Sequence, residues 1–207
     1  MKFHISFDQT DLENALRTAA ELAAYTNVFE VSSLLLYKHG IEAVQRFTET
    51  FPEHTILADT KIVDHGKDTV SLFSDTSAKW LTAMAGTHKD IIFNTCTSAH
   101  NQNKMIMLDL LDSSSLNQSA LVAESLGVDA LRFRQPYQID QAEFLENWDM
   151  VRGNTKLPIY LATRITRDQV GHIEKIKPNG LILGTTITQA SNPAEEAEFF
   201  SKFCETL

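Results

Sequence analysis

The chain has 207 residues, 43% of them hydrophobic, and a net charge of −9. This length suits one domain with a single sizeable core, and the acidic balance argues against a nucleic-acid-binding surface. No apolar run is long enough to cross a membrane, and no charged-then-apolar leader indicates a signal peptide. We therefore expect one domain over residues 1–207, located in the cytoplasm, with no nucleic-acid or membrane partner.

Short apolar, β-branched runs recur along the chain and predict eight strands. The predicted strands cover residues 3–8, 28–32, 55–61, 80–84, 104–109, 130–135, 158–162 and 180–184.

Segments with apolar residues at steps of three and four predict helices between these strands. The predicted helices cover residues 11–25, 40–51, 115–126, 141–151, 166–175 and 193–203. The segment 87–103 is ambiguous, because β-branched residues occupy much of 91–95.

Eight alternations of strand and helix in about two hundred residues predict a (βα)8 TIM barrel with a closed parallel sheet. An open doubly wound sheet is the alternative. That fold usually has fewer strands and a glycine-rich first turn, whereas residues 8–11 read Asp-Gln-Thr-Asp.

The ends of the predicted strands are unusually charged. In a barrel the carboxyl ends of all strands meet at one mouth, where the catalytic groups of this fold lie. Alternation along a strand also points Asp59 and Lys61 to the same face, where opposite charges must pair or meet a ligand. The charged residues at strand ends are Asp8, Glu30, Asp59, Lys61, Asp109 and Arg134.

These residues match a known family. The chain resembles 3-hexulose-6-phosphate synthase and 3-keto-L-gulonate-6-phosphate decarboxylase, of the orotidine-5′-phosphate decarboxylase suprafamily, nearly from end to end. The most specific match is the segment 57–66, Leu-Ala-Asp-Thr-Lys-Ile-Val-Asp-His-Gly, which is close to the family signature A-D-x-K-x-x-D-x-G. The strands that end near Asp8, Glu30 and Asp109 also resemble their family counterparts.

The resemblance implies roles for five of these side chains. Glu30 and Asp59 would bind Mg²⁺, a hard cation that prefers carboxylate oxygens. Lys61 would lie beside the reacting enediolate as an electrophile and oppose its charge. Asp64 would reach the active site of the partner subunit in a homodimer with shared active sites, and Asp8 would contact a substrate hydroxyl.

Three positions depart from the family pattern. Arg134 stands where the family has a histidine that transfers protons, and an arginine stays protonated at neutral pH. Thr163-Arg164 replaces a glycine pair of the phosphate loop, and Gly184-Thr185 keeps only the first residue of another conserved pair. The substrate-binding candidates are therefore Asp109, Arg134, Arg164, Gly184 and Thr185, with Arg164 either replacing a lost arginine or blocking the loop.

The sequence thus predicts a Mg²⁺-dependent carbon–carbon lyase that acts on a sugar phosphate, a ketose phosphate, through an enediolate. It is most like 3-hexulose-6-phosphate synthase, which joins formaldehyde to ribulose 5-phosphate, and Asp109 tilts the choice slightly towards this aldolase. The decarboxylase remains open, since both chemistries use the same metal and lysine. A barrel that lost catalysis and acts as a binding protein is the third possibility, favoured by Arg134 and Thr163-Arg164.

Overall fold

The computed structural model describes residues 1–134 and 141–207, except for the side chains of residues 141 and 142. Its eight strands are all parallel and pair in chain order, and the last strand pairs with the first to close a barrel. The strands are β1 (Lys2–Phe7), β2 (Val28–Val31), β3 (Thr55–Ile62), β4 (Trp80–Met84), β5 (Met105–Asp109), β6 (Ala130–Phe133), β7 (Ile159–Leu161) and β8 (Gly180–Leu183).

Helices surround this barrel and connect its strands. They are α1 (Leu12–Leu22), α2 (Ser33–His39), α3 (Ile41–Thr50), α4 (Gly66–Leu72), α5 (Lys89–His100), α6 (Leu116–Ala123), α7 (Gln141–Gly153), α8 (Val170–Ile176), α9 (Thr185–Thr188) and α10 (Pro193–Thr206). Short 3-10 turns lie at Ala23–Tyr25, Glu124–Leu126 and Arg167–Gln169.

The predicted (βα)8 barrel is confirmed, and all eight predicted strands are present with ends that differ by no more than two residues. The predicted end of the sixth strand at residue 135 lies outside the described residues. The ambiguous segment 87–103 forms α5, because Ile92, Cys96 and Ala99 are buried at helical spacing. Packing against the barrel therefore outweighs the β propensity of that stretch. Helices α2, α4 and α9 were not predicted.

The barrel interior is layered. An apolar layer contains Leu57, Met107 and Ala130. Two residues further along the same three strands, on the same face, lie Asp59, Asp109 and Arg132. All three of these charged side chains are buried, so a charged layer lies directly above the apolar one at the catalytic end of the barrel.

A larger apolar core lies between the strands and the helices. Phe7, Phe29 and Phe47 form part of it, and the rings of Phe7 and Phe29 meet edge to face with their centroids 5.3 Å apart. Within residues 1–134 and 141–207, no helix has the length and apolar character needed to span a bilayer.

Candidate active site

The end of β3 is irregular, and this irregularity positions two predicted site residues. The pairing register of β3 with β4 shifts between Ala58 and Ile62, and Lys61 has a φ of 47°, in the left-handed region. The backbone N–H of Lys61 donates to Oγ1 of Thr82 over 2.9 Å, and that hydroxyl donates to Oδ1 of Asp59 over 2.8 Å. Thr82 thus fixes both the strained backbone and the carboxylate.

Lys61 lies between the carboxylates of Asp59 and Asp109. Strand alternation predicted that it shares a face with the first of these, Asp59. Its Nζ is 3.3 Å from Oδ2 of Asp59 and 3.3 Å from Oδ2 of Asp109. The Lys61 side chain is 17% exposed, whereas the two aspartates are almost fully buried. Asp109, which we expected to contact substrate, is therefore a partner of the lysine.

A second cation, Arg132, lies in the same cluster. Its Nη2 donates to Oε1 of Glu30 over 2.9 Å, and its Nη1 is 3.2 Å from Oδ1 of Asp59. Its Nε is 3.8 Å from Oδ2 of Asp109. Glu30, Asp59, Asp109, Lys61 and Arg132 thus form one network, which we call the ion cluster.

Sequence reasoning missed Arg132, although a signal was available. The residue lies inside an apolar run, Ala130–Phe133, at an even spacing from Arg134. Alternation therefore points Arg132, on β6, and Arg134, just after its end, to the same inner face, as the same argument did for Asp59 and Lys61.

Ion pairing outweighs burial at Asp59 and Arg132, whereas burial prevails at Glu30 and raises its pKa despite the opposing charge of Arg132. Burial alone would raise the pKa of Asp59, but the charges of Arg132 and Lys61 and the hydroxyl of Thr82 together lower it by more, so the net shift is downward. Burial likewise lowers the pKa of Arg132, but Glu30, Asp59 and Asp109 raise it by more. Asp59 is therefore ionised and Arg132 is protonated over the physiological pH range.

A cavity of about 670 Å³ opens above the cluster at the carboxyl ends of the strands. Its lining includes six of the predicted site residues: Asp8, Asp59, Arg134, Arg164, Gly184 and Thr185. Arg132 also lines the cavity. The other three members of the ion cluster, Glu30, Lys61 and Asp109, are not among the described residues that line it.

Asp8 faces this cavity at the end of β1 and packs against Gly184. A Cβ atom at Gly184 would lie 2.0 Å from Oδ2 of Asp8, so the close approach requires glycine. Burial raises the pKa of Asp8, and the charges of Arg132 and Arg134 oppose that rise. A carboxyl group that lines a cavity and has a raised pKa is a candidate for proton exchange with a bound ligand.

Besides Arg132, two further arginines bring positive charge to the cavity lining. Arg134 is half-buried and Arg164 is exposed, and both line the cavity. Neither has an ion-pair partner among the residues that the structure describes. Unpaired guanidinium groups in a cavity favour an anionic ligand such as a phosphate.

Asp64 lies apart from these groups. Its side chain is 67% exposed, and its Oδ1 accepts a hydrogen bond from the backbone N–H of His65. It forms no hydrogen bond or ion pair with Lys61 in the described part of the chain. An exposed carboxylate beyond the strand is compatible with a role at a subunit interface, which stays a prediction.

The arrangement does not fit the expected Mg²⁺ ion. Both predicted ligands, Glu30 and Asp59, already contact the guanidinium of Arg132. The described residues also contain no group of three or more histidine, cysteine, aspartate or glutamate side chains placed to hold a metal. The Mg²⁺ cofactor stays a prediction, and no chemical step is derived through it.

Comparison with known proteins places this site in context. The family model for orotidine 5′-phosphate decarboxylase / HUMPS matches residues 1–200. The 3-hexulose-6-phosphate synthase of Bacillus subtilis is 27% identical over 201 residues, which is 95% of each chain. The crystal structure of 3-hexulose-6-phosphate synthase from Salmonella typhimurium superimposes with a TM-score of 0.91 at 25% identity, covering 100% of this chain and 99% of that one.

A second enzyme has the same fold. The crystal structure of 3-keto-L-gulonate-6-phosphate decarboxylase from Vibrio cholerae superimposes with a TM-score of 0.86 at 22% identity, covering 100% of this chain and 98% of that one.

Proposed function

Because the chain belongs to the orotidine 5′-phosphate decarboxylase / HUMPS family, a family of carbon–carbon lyases, we propose that it acts on a ketose phosphate through an enediolate. The reaction we propose is that of 3-hexulose-6-phosphate synthase, the aldol addition of ribulose 5-phosphate to formaldehyde. The observation that carries the proposal is the cavity, whose lining combines the carboxyl groups of Asp8 and Asp59 with Arg134 and Arg164, two arginines that have no ion-pair partner among the described residues.

The phosphate end of the substrate would bind at Arg134 and Arg164. A phosphate needs fixed cationic donors, and these two guanidinium groups line the cavity without another ion-pair partner among the described residues. Arg164 would then replace the donors of the missing glycine pair rather than block the loop. The hydroxyl-bearing end of the ketose would lie towards Asp8 and Asp59.

The reaction needs a base and a cation at that end. Removal of a proton from C1 of the ketose leaves an enediolate, whose negative oxygen is stabilised by a nearby cation. Asp8 would take the proton, because it lines the cavity and burial raises its pKa. Lys61 and Arg132 would supply positive charge, and C1 would form the new bond to the formaldehyde carbon. The formaldehyde oxygen would then take up the proton that Asp8 removed from C1.

Two observations favour the aldolase over the decarboxylase. Two relatives that match over most of the chain, from Bacillus subtilis and Staphylococcus aureus, are 3-hexulose-6-phosphate synthases, and Asp109 stands where the decarboxylase more often has glutamate. The decarboxylase of 3-keto-L-gulonate 6-phosphate is the second candidate, because that enzyme has the same barrel. A cytoplasmic homodimer is part of the same proposal.

Three assays of the purified chain test this function. They are formaldehyde addition to ribulose 5-phosphate, the reverse cleavage, and decarboxylation of 3-keto-L-gulonate 6-phosphate, each with and without Mg²⁺. We expect turnover in the first two assays. Turnover only in the third would replace the aldolase by the decarboxylase, and no turnover in any of them would favour the binding protein.

A further inference from the structure

We propose that the guanidinium of Arg132 is a built-in cation that takes the place of a divalent metal between Glu30 and Asp59. The site would then need no metal ion. The effect on turnover rests on the proposed function, whereas the effect on metal binding rests on the ion cluster alone.

The position of the guanidinium carries this inference. Arg132 approaches Oε1 of Glu30 to 2.9 Å and Oδ1 of Asp59 to 3.2 Å, and so bridges the two expected metal ligands. Mg²⁺ would need carboxylate oxygens at about 2.1 Å in a nearly octahedral shell. The ion and the guanidinium compete for the same oxygens.

Moving the guanidinium of Arg132 out of the cluster would cost considerable free energy. Its side chain is 1% exposed and lies inside the barrel, at the register position beside Asp109 on β5. Its aliphatic part stands above the apolar layer that contains Ala130 and Tyr160. To admit a metal the arginine would have to move its charge away from all three carboxylates within a closed barrel, which is costly.

The charge balance supports the same conclusion. With all three carboxyl groups ionised, the cluster without Arg132 would contain three negative charges against the single positive charge of Lys61, a deficit of two positive charges that a divalent ion would fill. The guanidinium fills half of this deficit, and Ser6 donates a further hydrogen bond to Oε1 of Glu30 over 2.7 Å. A divalent ion added to the intact cluster would leave it with excess positive charge.

Arg132 also has N–H groups that are available to donate hydrogen bonds to a ligand. Its Nε and Nη1 have no hydrogen-bond partner among the described residues, and the side chain lines the cavity. Nη1 does lie 3.2 Å from Oδ1 of Asp59, and Nε lies 3.8 Å from Oδ2 of Asp109, but neither contact is a hydrogen bond, so these charged donors suit an anionic oxygen of a ligand. The arginine would therefore serve both as the counter-ion of Glu30 and Asp59 and as an electrophile for the substrate.

Metal binding to the full chain tests the inference without any assay of turnover. The protein is stripped with a chelator and titrated with Mn²⁺ alone, and bound ion is measured by electron paramagnetic resonance and by the shift in melting temperature. We expect no stoichiometric site in the wild type. The Arg132→Ala variant is expected to gain one Mn²⁺-binding site per chain and to show a Mn²⁺-dependent rise in melting temperature. The double variant that combines Arg132→Ala with Glu30→Gln is expected to lack this Mn²⁺ site.

Arg134→Ala is the matched control, because it removes the same charge from the cavity lining, two residues further along the chain, but leaves the bridge between Glu30 and Asp59 intact. We expect it to gain no site. A gain equal to that of Arg132→Ala would reduce the effect to net charge and overturn the inference. Arg132→Lys keeps a cation in place and should also bind no Mn²⁺.

The wild-type measurement decides the matter even where Arg132→Ala does not fold. One Mn²⁺ per wild-type chain, lost in Glu30→Gln or Asp59→Asn, would overturn the inference. Turnover that requires Mg²⁺ would overturn it and leave the proposed function standing. A metal-free wild type that acts on none of the three substrates would support the built-in cation and remove the proposed function.

Discussion

Arg132 donates from Nη2 to Oε1 of Glu30 over 2.9 Å, and each of the two side chains is only 1% exposed. Such a pair is costly to break, because removal of one partner leaves the other charge buried without compensation. The ion pair therefore links the stability of the barrel to the chemistry of its mouth.

Loss of Arg132 is expected to destabilise the fold. Arg132→Ala should lower the free energy of unfolding by about 3–5 kcal/mol, because Glu30 and Asp59 lose their shared cation. Equilibrium unfolding in urea measures the change. Arg46→Ala is the control, since Arg46 pairs with Glu13 on the surface, where such pairs contribute about 1 kcal/mol or less. Equal losses in both variants would contradict a strong buried pair.

Lys61 is expected to matter for rate more than for binding. Lys61→Ala removes a cation beside Asp59 and Asp109, and the loss of one such electrostatic contact costs ~10²–10³ in kcat. Lys61→Arg should restore most of the stability but little of the rate, because the longer planar group does not reproduce the position of Nζ. Rate and melting temperature are measured together.

Lys67→Ala, which changes an exposed lysine on α4, controls for a general loss of positive charge. If Lys61→Arg kept most of the parent activity, Lys61 would be a structural ion-pair partner only.

The fold and much of the site could be predicted from strand periodicity. Apolar runs with charged ends predict both the barrel and its mouth, and Asp8, Asp59 and Arg134 line one cavity there. Arg164, Gly184 and Thr185 line the same cavity but could be singled out only through the family resemblance. The ion cluster could not be predicted in full, because pairing across the barrel joins residues 102 positions apart in the case of Glu30 and Arg132.

The local backbone geometry at the end of β3 could not be predicted from the sequence pattern either. Simple alternation predicted that Asp59 and Lys61 share a face, and their charged groups are indeed 3.3 Å apart. The contact is made, however, through a register shift and a left-handed Lys61 that Thr82 stabilises. A threonine inside the apolar run of β4 was the only sign of this arrangement.

The two cavity arginines are expected to bind the substrate phosphate. Arg164→Ala and Arg134→Ala should each raise KM for ribulose 5-phosphate about tenfold to a hundredfold, the typical effect of losing a charged hydrogen bond. Arg167→Ala is the control, because Arg167 pairs with Glu195 and Glu196 outside the cavity. Steady-state kinetics measure the changes, and a KM that falls in Arg164→Ala would show that Arg164 blocks the site.

Stability is expected to fall in acid because of His4. This histidine is buried below the ion cluster, with its ring 4.8 Å from that of Tyr160. Burial, with the charges of Lys2 and Arg132, lowers its pKa from 6.5 to about 3. Between these values the unfolded chain binds a proton that the folded chain does not, so the stabilising effect is complete above 6.5 and is lost as the pH falls towards 3.

His4→Gln should therefore flatten the pH dependence of stability. Each pH unit below about 6 is expected to cost the wild type roughly 1.4 kcal/mol more than the variant. Unfolding in urea at several pH values measures both slopes. His172→Gln changes an exposed histidine and should keep the wild-type slope; the same slope in His4→Gln would show that His4 is not the group responsible.

Asp64 is expected to act across a two-fold dimer, and mixed subunits test this directly. Sedimentation should first give a dimer, and Lys61→Ala and Asp64→Ala should each be nearly inactive alone. If Asp64 serves the partner's site, a heterodimer of the two variants contains one intact site, with Lys61 from one subunit and Asp64 from the other. Random mixing should then recover about a quarter of the wild-type activity, since half of the dimers are mixed and each has one working site.

The control mixture combines Lys61→Ala with Asp59→Asn, whose changes fall in the same site of each subunit. No activity should return there, because each site of the mixed dimer carries one of the two changes. If the Asp64→Ala mixture also stayed inactive although heterodimers had formed, Asp64 would serve its own subunit. Its 67% exposed side chain would then have to move towards Lys61 before it could contribute to the reaction.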